Sequence, residues 1–296
     1  MPWSSLFQSV ERLSAEQGLE DWYARLLTRL GDTPQPFELA LVGGLLAATP
    51  GLAFLAGYQA ALRMLWPAAP WTAGALCVTE NRSTRPADMN TRIDGLQITG
   101  RKDFVTAAEC AGWLLVAARE EDEGQAPRLA LGVVRQGAPG VRIEPLPALP
   151  LMPDIGHARL HLEQAHGERL AGDGWGDYVK PFRTLEDVHV LTAVVAWQFG
   201  VGRDCAWPET LLLRLQALLA GCAEVARQAP DAPTTHLLLA GLFAEQQALA
   251  VELKVAFAGG PVHWAELWQR DKGLLRIAEA ARSKRLEKAR RIVAGR

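Results

Sequence analysis

From Leu39 to Leu62 the chain carries no charged residue. A stretch of that length must leave water, and it is long enough to cross a bilayer as one helix. Its composition decides between the two possibilities. It is rich in Ala and Gly, and Thr49-Pro50-Gly51 interrupts it midway. Pro and Gly at that point end one helix and begin another. The expectation is a pair of helices buried in a globular protein, with no membrane span.

The flanking sequence agrees. Ser14-Ala15-Glu16-Gln17 places Gln three residues after Ser, a capping-box pattern. Apolar residues at 22, 23, 26, 27 and 30 mark one face of a helix. Helices run on to about Trp66, where Pro67-Ala68-Ala69-Pro70 punctuates the chain. Residues 1–73 therefore read as an N-terminal helical domain.

The texture changes near Ala73. Ala75-Leu76-Cys77-Val78, Gly95 to Gly100, Trp113 to Ala118, Leu129 to Val134 and Val141 to Leu146 are short strands parted by Gly and Pro. The series closes near Leu160-His161-Leu162. Strands this short and close predict an antiparallel barrel or sandwich over residues 74–178. Helical sequence returns in Leu191 to Phe199, Leu211 to Arg227, Thr234 to Ala258 and Asp271 to Ala294, rich in Ala, Leu, Gln and Arg. Residues 179–296 read as a C-terminal helical bundle. Helices, then strands, then helices make the class α+β.

Lys plus Arg number 31 and Asp plus Glu 33, a net charge of −2, which argues against a nucleic-acid protein. The basic tail from Arg282 carries Glu287 within it and reads as a solvated helix face. The run Glu120-Glu121-Asp122-Glu123 reads as a solvated loop between strands. Cys77, Cys110, Cys205 and Cys222 lie far apart, with no zinc spacing, and read as reduced thiols. Met1-Pro2-Trp3-Ser4-Ser5 lacks the basic-then-apolar pattern of a secretory leader, so a cytoplasmic location is expected. His157 and His161 fall on a strand that holds them apart, and no metal site is expected.

Gly95 to Lys102 approaches a phosphate-binding loop, but Arg and Lys stand where Lys and a hydroxyl residue are needed, and no helix follows. Gly172-Asp173-Gly174-Trp175-Gly176 is too short for a dinucleotide fingerprint and reads as a tight loop before a helix.

A resemblance organises these blocks. Ala75-Leu76-Cys77-Val78-Thr79-Glu80 is similar to the strand ending in Thr-Glu of the acyl-CoA dehydrogenases. Ile98-Thr99-Gly100-Arg101-Lys102-Asp103-Phe104-Val105-Thr106 resembles that family's Asn-Gly-x-Lys-x-Trp/Phe-Ile-Thr segment. Ala138-Pro139-Gly140-Val141, the Gly172 to Gly176 loop, Gly259-Gly260 and Arg270-Asp271 through Glu279 resemble further family blocks, in order. The resemblance implies FAD-dependent α,β-dehydrogenation of an acyl-CoA thioester, as in fatty acid metabolism. It implies an electron-transfer partner and a homodimer or higher homo-oligomer. Thr79, Phe104, Val105, Thr106, Gly259 and Gly260 become the expected FAD contacts, and Glu279 the expected base. A base of this kind must be buried, because desolvation raises a carboxylate toward working pH. The alternative for Glu279 is a surface pair with Arg276 or Arg282.

The chain also departs from the family. Its N-terminal helical part is shortened. Asn81-Arg82-Ser83-Thr84-Arg85-Pro86 replaces a Gly-Ser-Asp segment, and Ala280-Ala281 follow Glu279. An Arg-x-x-Phe-Gly segment is not recognisable. Two readings stay open, a flavin-dependent dehydrogenase or a non-catalytic member of the fold that acts as a binding or assembly partner. Trp264 and Trp268, four apart, fit core packing or an interface.

Overall fold

The uncharged stretch folds as two helices. The computed structural model describes residues 2–7, 11–31, 34–121 and 124–295. After α1 (Leu19–Leu30) come α2 (Pro36–Leu46) and α3 (Pro50–Leu65). Thr49 caps α3, its hydroxyl accepting the Leu52 N–H at 3.1 Å, with Pro50 at the first helical position. Helix α1 starts beyond the Ser14 pattern, with Gly18 as its cap, and the Ser14 hydroxyl donates to Glu16 instead. Among the described residues no helix is long and apolar enough to cross a membrane.

The strands are β1 (Gly74–Cys77), β2 (Arg92–Asp94), β3 (Gln97–Thr106), β4 (Trp113–Arg119), β5 (Leu129–Arg135), β6 (Val141–Pro145), β7 (His157–His166) and β8 (Glu168–Arg169). They form one curled sheet in the order β6-β7-β3-β2-β4-β5-β8, with β1 alongside β4. Most strands pair antiparallel, as the expected antiparallel barrel or sandwich requires, but β1 and β2 each pair with β4 in parallel, Gly74 opposite Trp113 and Arg92 opposite Arg119. Strand β4 explains its unbroken apolar run. Leu114, Val116 and Ala118 enter the core of the sheet, while Trp113, Leu115 and Ala117 join the helical core.

The acidic run does lie between β4 and β5, but it is not simply solvated. Glu121 is buried and ion-paired with Arg119, and Glu120 pairs with Arg128 and Arg169. Asp122 and Glu123 lie outside the described residues.

The Gly172 to Gly176 loop leads into a wide helical turn over Gly174–Val179 and then α4 (Lys180–Asp204). The helices α5 (Glu209–Ala226), α6 (Pro233–Ala248), α7 (Ala250–Ala258), α8 (Val262–Asp271) and α9 (Glu279–Val293) follow. The break before α9 departs from the continuous helix read from Asp271 onward. Asp271 is fully buried, pairs with Arg270 and accepts the Met152 N–H at 2.9 Å, and a short 3-10 turn over Lys272–Arg276 intervenes.

Helix α4 is the axis of the molecule, buried from Val188 to Gly202. α2 and α3 approach it through small residues. A Cβ on Gly44 would stand 2.1 Å from the Ala193 carbonyl oxygen, and one on Gly57 2.6 Å from that of His189. Trp197 of α4 packs against Phe257, Trp264 and Trp268, so both tryptophans of α8 take up core packing. A single apolar cluster runs from α1 through α8 and onto one face of the sheet.

Candidate functional site

The two blocks that resemble a flavin site come together through an irregularity in the sheet. The pairing of β3 with β7 shifts register between Lys102 and Val105. Asp103, freed from β7, donates its N–H to the Thr79 carbonyl at 2.9 Å, and its carboxylate accepts the Asn81 N–H at 2.6 Å. Bulges re-aim side chains in this way. Thr79 and Phe104 thus meet at one end of the sheet, with Thr106 at the end of the same strand.

Phe104 is 40 % exposed, a large apolar ring left at the surface. It stacks on His157 with centroids 4.4 Å apart and planes 28° from parallel. His157 lies opposite Thr106 across the β3–β7 ladder. Its ring is buried, and burial lowers its pKa against the opposing pull of a backbone hydrogen bond at Ile155. An exposed ring and two threonines at one sheet end fit a flat, heteroatom-rich aromatic group such as an isoalloxazine. Val105 points the other way and is fully buried, so only its backbone can face this surface.

Beneath it lies a buried ion pair that the sequence reading did not single out. Lys102 is fully buried and its Nζ meets Glu80 Oε1 at 2.5 Å. The Asn90 N–H donates to Glu80 at 2.6 Å, and the Thr91 N–H donates to both its oxygens at 3.3 Å. Burial opposes the Glu80 charge, but Lys102 and these donors hold its pKa below the usual carboxylate value. Burial draws Lys102 downward.

Glu80 also opens the turn that replaces the glycine-rich segment. Its backbone exchanges two hydrogen bonds with Ser83, at 2.9 and 2.7 Å. Between them Asn81 and Arg82 both take the left-handed conformation, φ 49° and 61°. That geometry ordinarily selects Gly at the second position. Here Arg82 accepts the strain, and its side chain is exposed.

Thr84, at the end of this turn, accepts a hydrogen bond from Arg183 of α4 at 2.5 Å. One helical turn further on stands Glu186. It is partly buried, and among the described residues it makes no hydrogen bond or ion pair. Burial of its carboxyl, then repulsion from Asp187, pushes its pKa up to about 8; Arg183 and Arg285 pull it down. Its field reaches Tyr58 of α3, whose hydroxyl accepts the Leu76 N–H of β1 at 2.9 Å, three residues before Thr79. A carboxyl poised near neutrality, one helical turn from the arginine that holds Thr84, has an attribute of a general base.

Glu279 is placed differently. It is exposed at the first turn of α9 and pairs with Arg276 at 3.2 Å, the surface pairing weighed from the sequence. The burial expected of it is not found in this arrangement, because α9 turns Arg282, Arg285 and Ala289 inward and leaves its start in solvent. Gly259 and Gly260 follow α7, with Gly260 packed beside Cys205 at the far end of α4. Arg183, which holds Thr84, is at the near end. At 1.5 Å per residue the two ends are separated by roughly 30 Å. One chain therefore unites Thr79, Phe104 and Thr106 and leaves Gly259 and Gly260 remote from them. A cavity of about 420 Å³ opens elsewhere, between Ser14, Leu19, Thr49, Leu52 and Asp154.

No family model and no curated protein matches the chain. Solved structures do. FkbI, described for biosynthesis of the methoxymalonyl extender unit of Fk520, is 23% identical over 88% of this chain and 83% of its own, with a TM-score of 0.61. The prolyl acyl carrier protein oxidase AnaB is 18% identical over 92% and 85%, TM-score 0.60. Butyryl-CoA dehydrogenase from Megasphaera elsdenii is 14% identical over 86% and 80%, TM-score 0.59. At such identities the likeness is one of fold, and this chain has the fold of the acyl-CoA dehydrogenases and related flavoproteins, the family its motifs resemble.

Proposed function

We propose that the protein is an acyl-CoA dehydrogenase-type flavoprotein that removes hydrogen from the α and β carbons of an acyl-CoA thioester. The observation that carries this reading is the Asp103–Thr79 backbone bond, which joins both resembling blocks into one surface. FAD would be held by Thr79, Phe104, Thr106 and the backbone of Val105, and it supplies hydride acceptance when bound. Gly259 and Gly260, named by the resemblance alone, lie too far along α4 to join them within one chain.

The chain's own part is proton abstraction and positioning. The resemblance names Glu279 as the base; the surroundings of Glu186 support it for that role. A base works best with its pKa near the working pH, and Glu186 at about 8 meets that condition. Glu186 would take the proton α to the thioester as its carboxylate. Phe104 would present its ring to the flavin, with His157 behind it. An electron-transfer partner would reoxidise the flavin.

Butyryl-CoA dehydrogenase is named for a CoA thioester and AnaB for a carrier-protein one, so both carriers belong in the test. The purified protein is expected to take up FAD with a flavin absorbance spectrum, and an acyl thioester to bleach it anaerobically. Glu186→Gln should keep the spectrum and slow bleaching by about 10³-fold, within the usual range for a general base. With Glu186 as the base, kcat/KM rises with pH through about 8, since only the ionised carboxylate accepts a proton. Loss of bleaching in Glu279→Gln, with Glu186→Gln unaffected, would return the role to Glu279. Protein that stays colourless with FAD points instead to a non-catalytic binding member of the fold.

A further inference from the structure

Two guanidinium groups lie near Glu186, and each is turned to another partner. Arg183 donates to Thr84 Oγ1 at 2.5 Å and lies over the Trp175 ring, 5.2 Å from its centroid. Arg285 of α9 ion-pairs with Asp187 Oδ2. The other Asp187 oxygen accepts from Arg282 Nη1 at 2.8 Å. Arg282 is itself fixed, bonded to the Leu275 carbonyl and stacked 3.8 Å over Phe243. Asp187 is only 6 % exposed, so this three-membered network is largely sheltered from solvent.

The charged and titratable groups whose fields reach Glu186 are Tyr58 of α3, Arg183 and Asp187 of α4, and Arg285 of α9. An ion pair between Glu186 and Arg285 would be the ordinary outcome for a sheltered carboxyl. Among the described residues no such pair forms, and Arg285 is engaged by Asp187.

We propose that Asp187 is a positioning residue for Glu186: by engaging Arg282 and Arg285 it keeps α9 closed on α4 and withholds Arg285 from Glu186, whose carboxyl stays unpaired and free to accept a proton. This rests on the reading of Glu186 as the base for its meaning in catalysis, but the coupling itself can be measured on the protein without substrate.

The sign follows from Coulomb's law. Asp187→Asn removes a negative neighbour and releases Arg285 toward Glu186; both effects favour the carboxylate. Arg285→Gln removes a positive neighbour and leaves Asp187 less compensated; both favour the neutral acid. The two variants must therefore move Glu186 in opposite directions.

The test is a pH titration of the glutamate carboxyls by isotope-edited infrared spectroscopy, with Glu186 assigned by subtracting Glu186→Gln. Asp187→Asn is expected to lower the proton affinity of Glu186 tenfold or more, and Arg285→Gln to raise it. An unmoved midpoint in Asp187→Asn, or shifts of the same sign in both variants, overturns the proposal. Thermal melts check folding, and if Asp187→Asn does not fold, the direction of Arg285→Gln decides alone. In protein that bleaches, the pH profile of kcat/KM should follow the infrared midpoints. Opposite infrared shifts with full activity in Glu186→Gln would uphold the coupling and sink Glu186 as base. Lost activity in Glu186→Gln with unmoved midpoints would do the reverse.

Discussion

The titratable groups of α4 show how far a helix core can move a side chain from its behaviour in water. His189 is 1 % exposed, and its Nδ1–H donates to the Leu185 carbonyl at 2.7 Å. Burial lowers its pKa to about 4. The unfolded chain titrates near 6.5. The folded value is the lower one, so this histidine's contribution to stability is intact above pH 6.5 and is lost as the pH falls toward 4. The size is on the order of 3 kcal/mol by linkage. His189→Gln keeps a donor for Leu185 and removes the titration. The stability difference between wild type and this variant, from urea melts at pH 7.5 and pH 4, should change by about that amount; a constant difference would mean that His189 is more solvated than the structure indicates. Glu186 stands one turn away and is pushed in the opposite sense for a carboxyl. Its signal in the sequence was its position: it falls four residues after Phe182 and four before Val190, with Arg183 and His189 three residues to either side. Read as one letter in Arg183-Thr184-Leu185-Glu186-Asp187 it carried no motif, because its surroundings come from α3 and α9, far away in the chain. Glu279 had the motif and lacks the burial, which no local pattern of small neighbours can confer.

At the scale of elements, period and punctuation carried well where a segment buries one face or every face. The Thr49-Pro50-Gly51 break divides α2 from α3, and β4 is a strand because its run of apolar residues serves two cores. Irregular backbone was less legible. The β3 bulge and the left-handed turn at Asn81 and Arg82 depend on Asp103, Glu80 and Ser83 meeting in space, and residue preferences alone argue against Arg at φ 61°. The close packing of α2 on α4 was legible only as a high Gly and Ala content. Its consequence is specific. In Gly44→Ala the new methyl would meet the Ala193 backbone, which cannot rotate aside as a side chain can. Overpacking of this kind costs about 1–3 kcal/mol, and we expect the upper part of that range and a lowered Tm in a thermal melt. Gly241→Ala, where a Cβ meets no atom within 4 Å, is the control and should gain helix propensity, about 0.5–1 kcal/mol.

For the whole molecule, the order helices–strands–helices was readable from texture, yet it describes the chain better than the packing. The N-terminal and C-terminal helical segments share one apolar cluster, with α4 at its axis and α2 buried on every side. A helix apolar all round has no soluble state of its own, and short helices in water are marginal without tertiary partners. Residues 1–73 expressed alone should therefore show little helical circular dichroism and no cooperative melt. Co-expressed with residues 74–296 as a second polypeptide, the same segment should co-purify and regain its helicity, because the surface it needs is presented by α4 and by β4. The break at residue 73 is suited to this test, since Ala73 precedes β1 and the chain there passes from helical to sheet packing. A cooperative melt from the isolated segment would show that α1, α2 and α3 hold a core of their own, and that Gly44 and Gly57 are small for a reason other than the approach to α4.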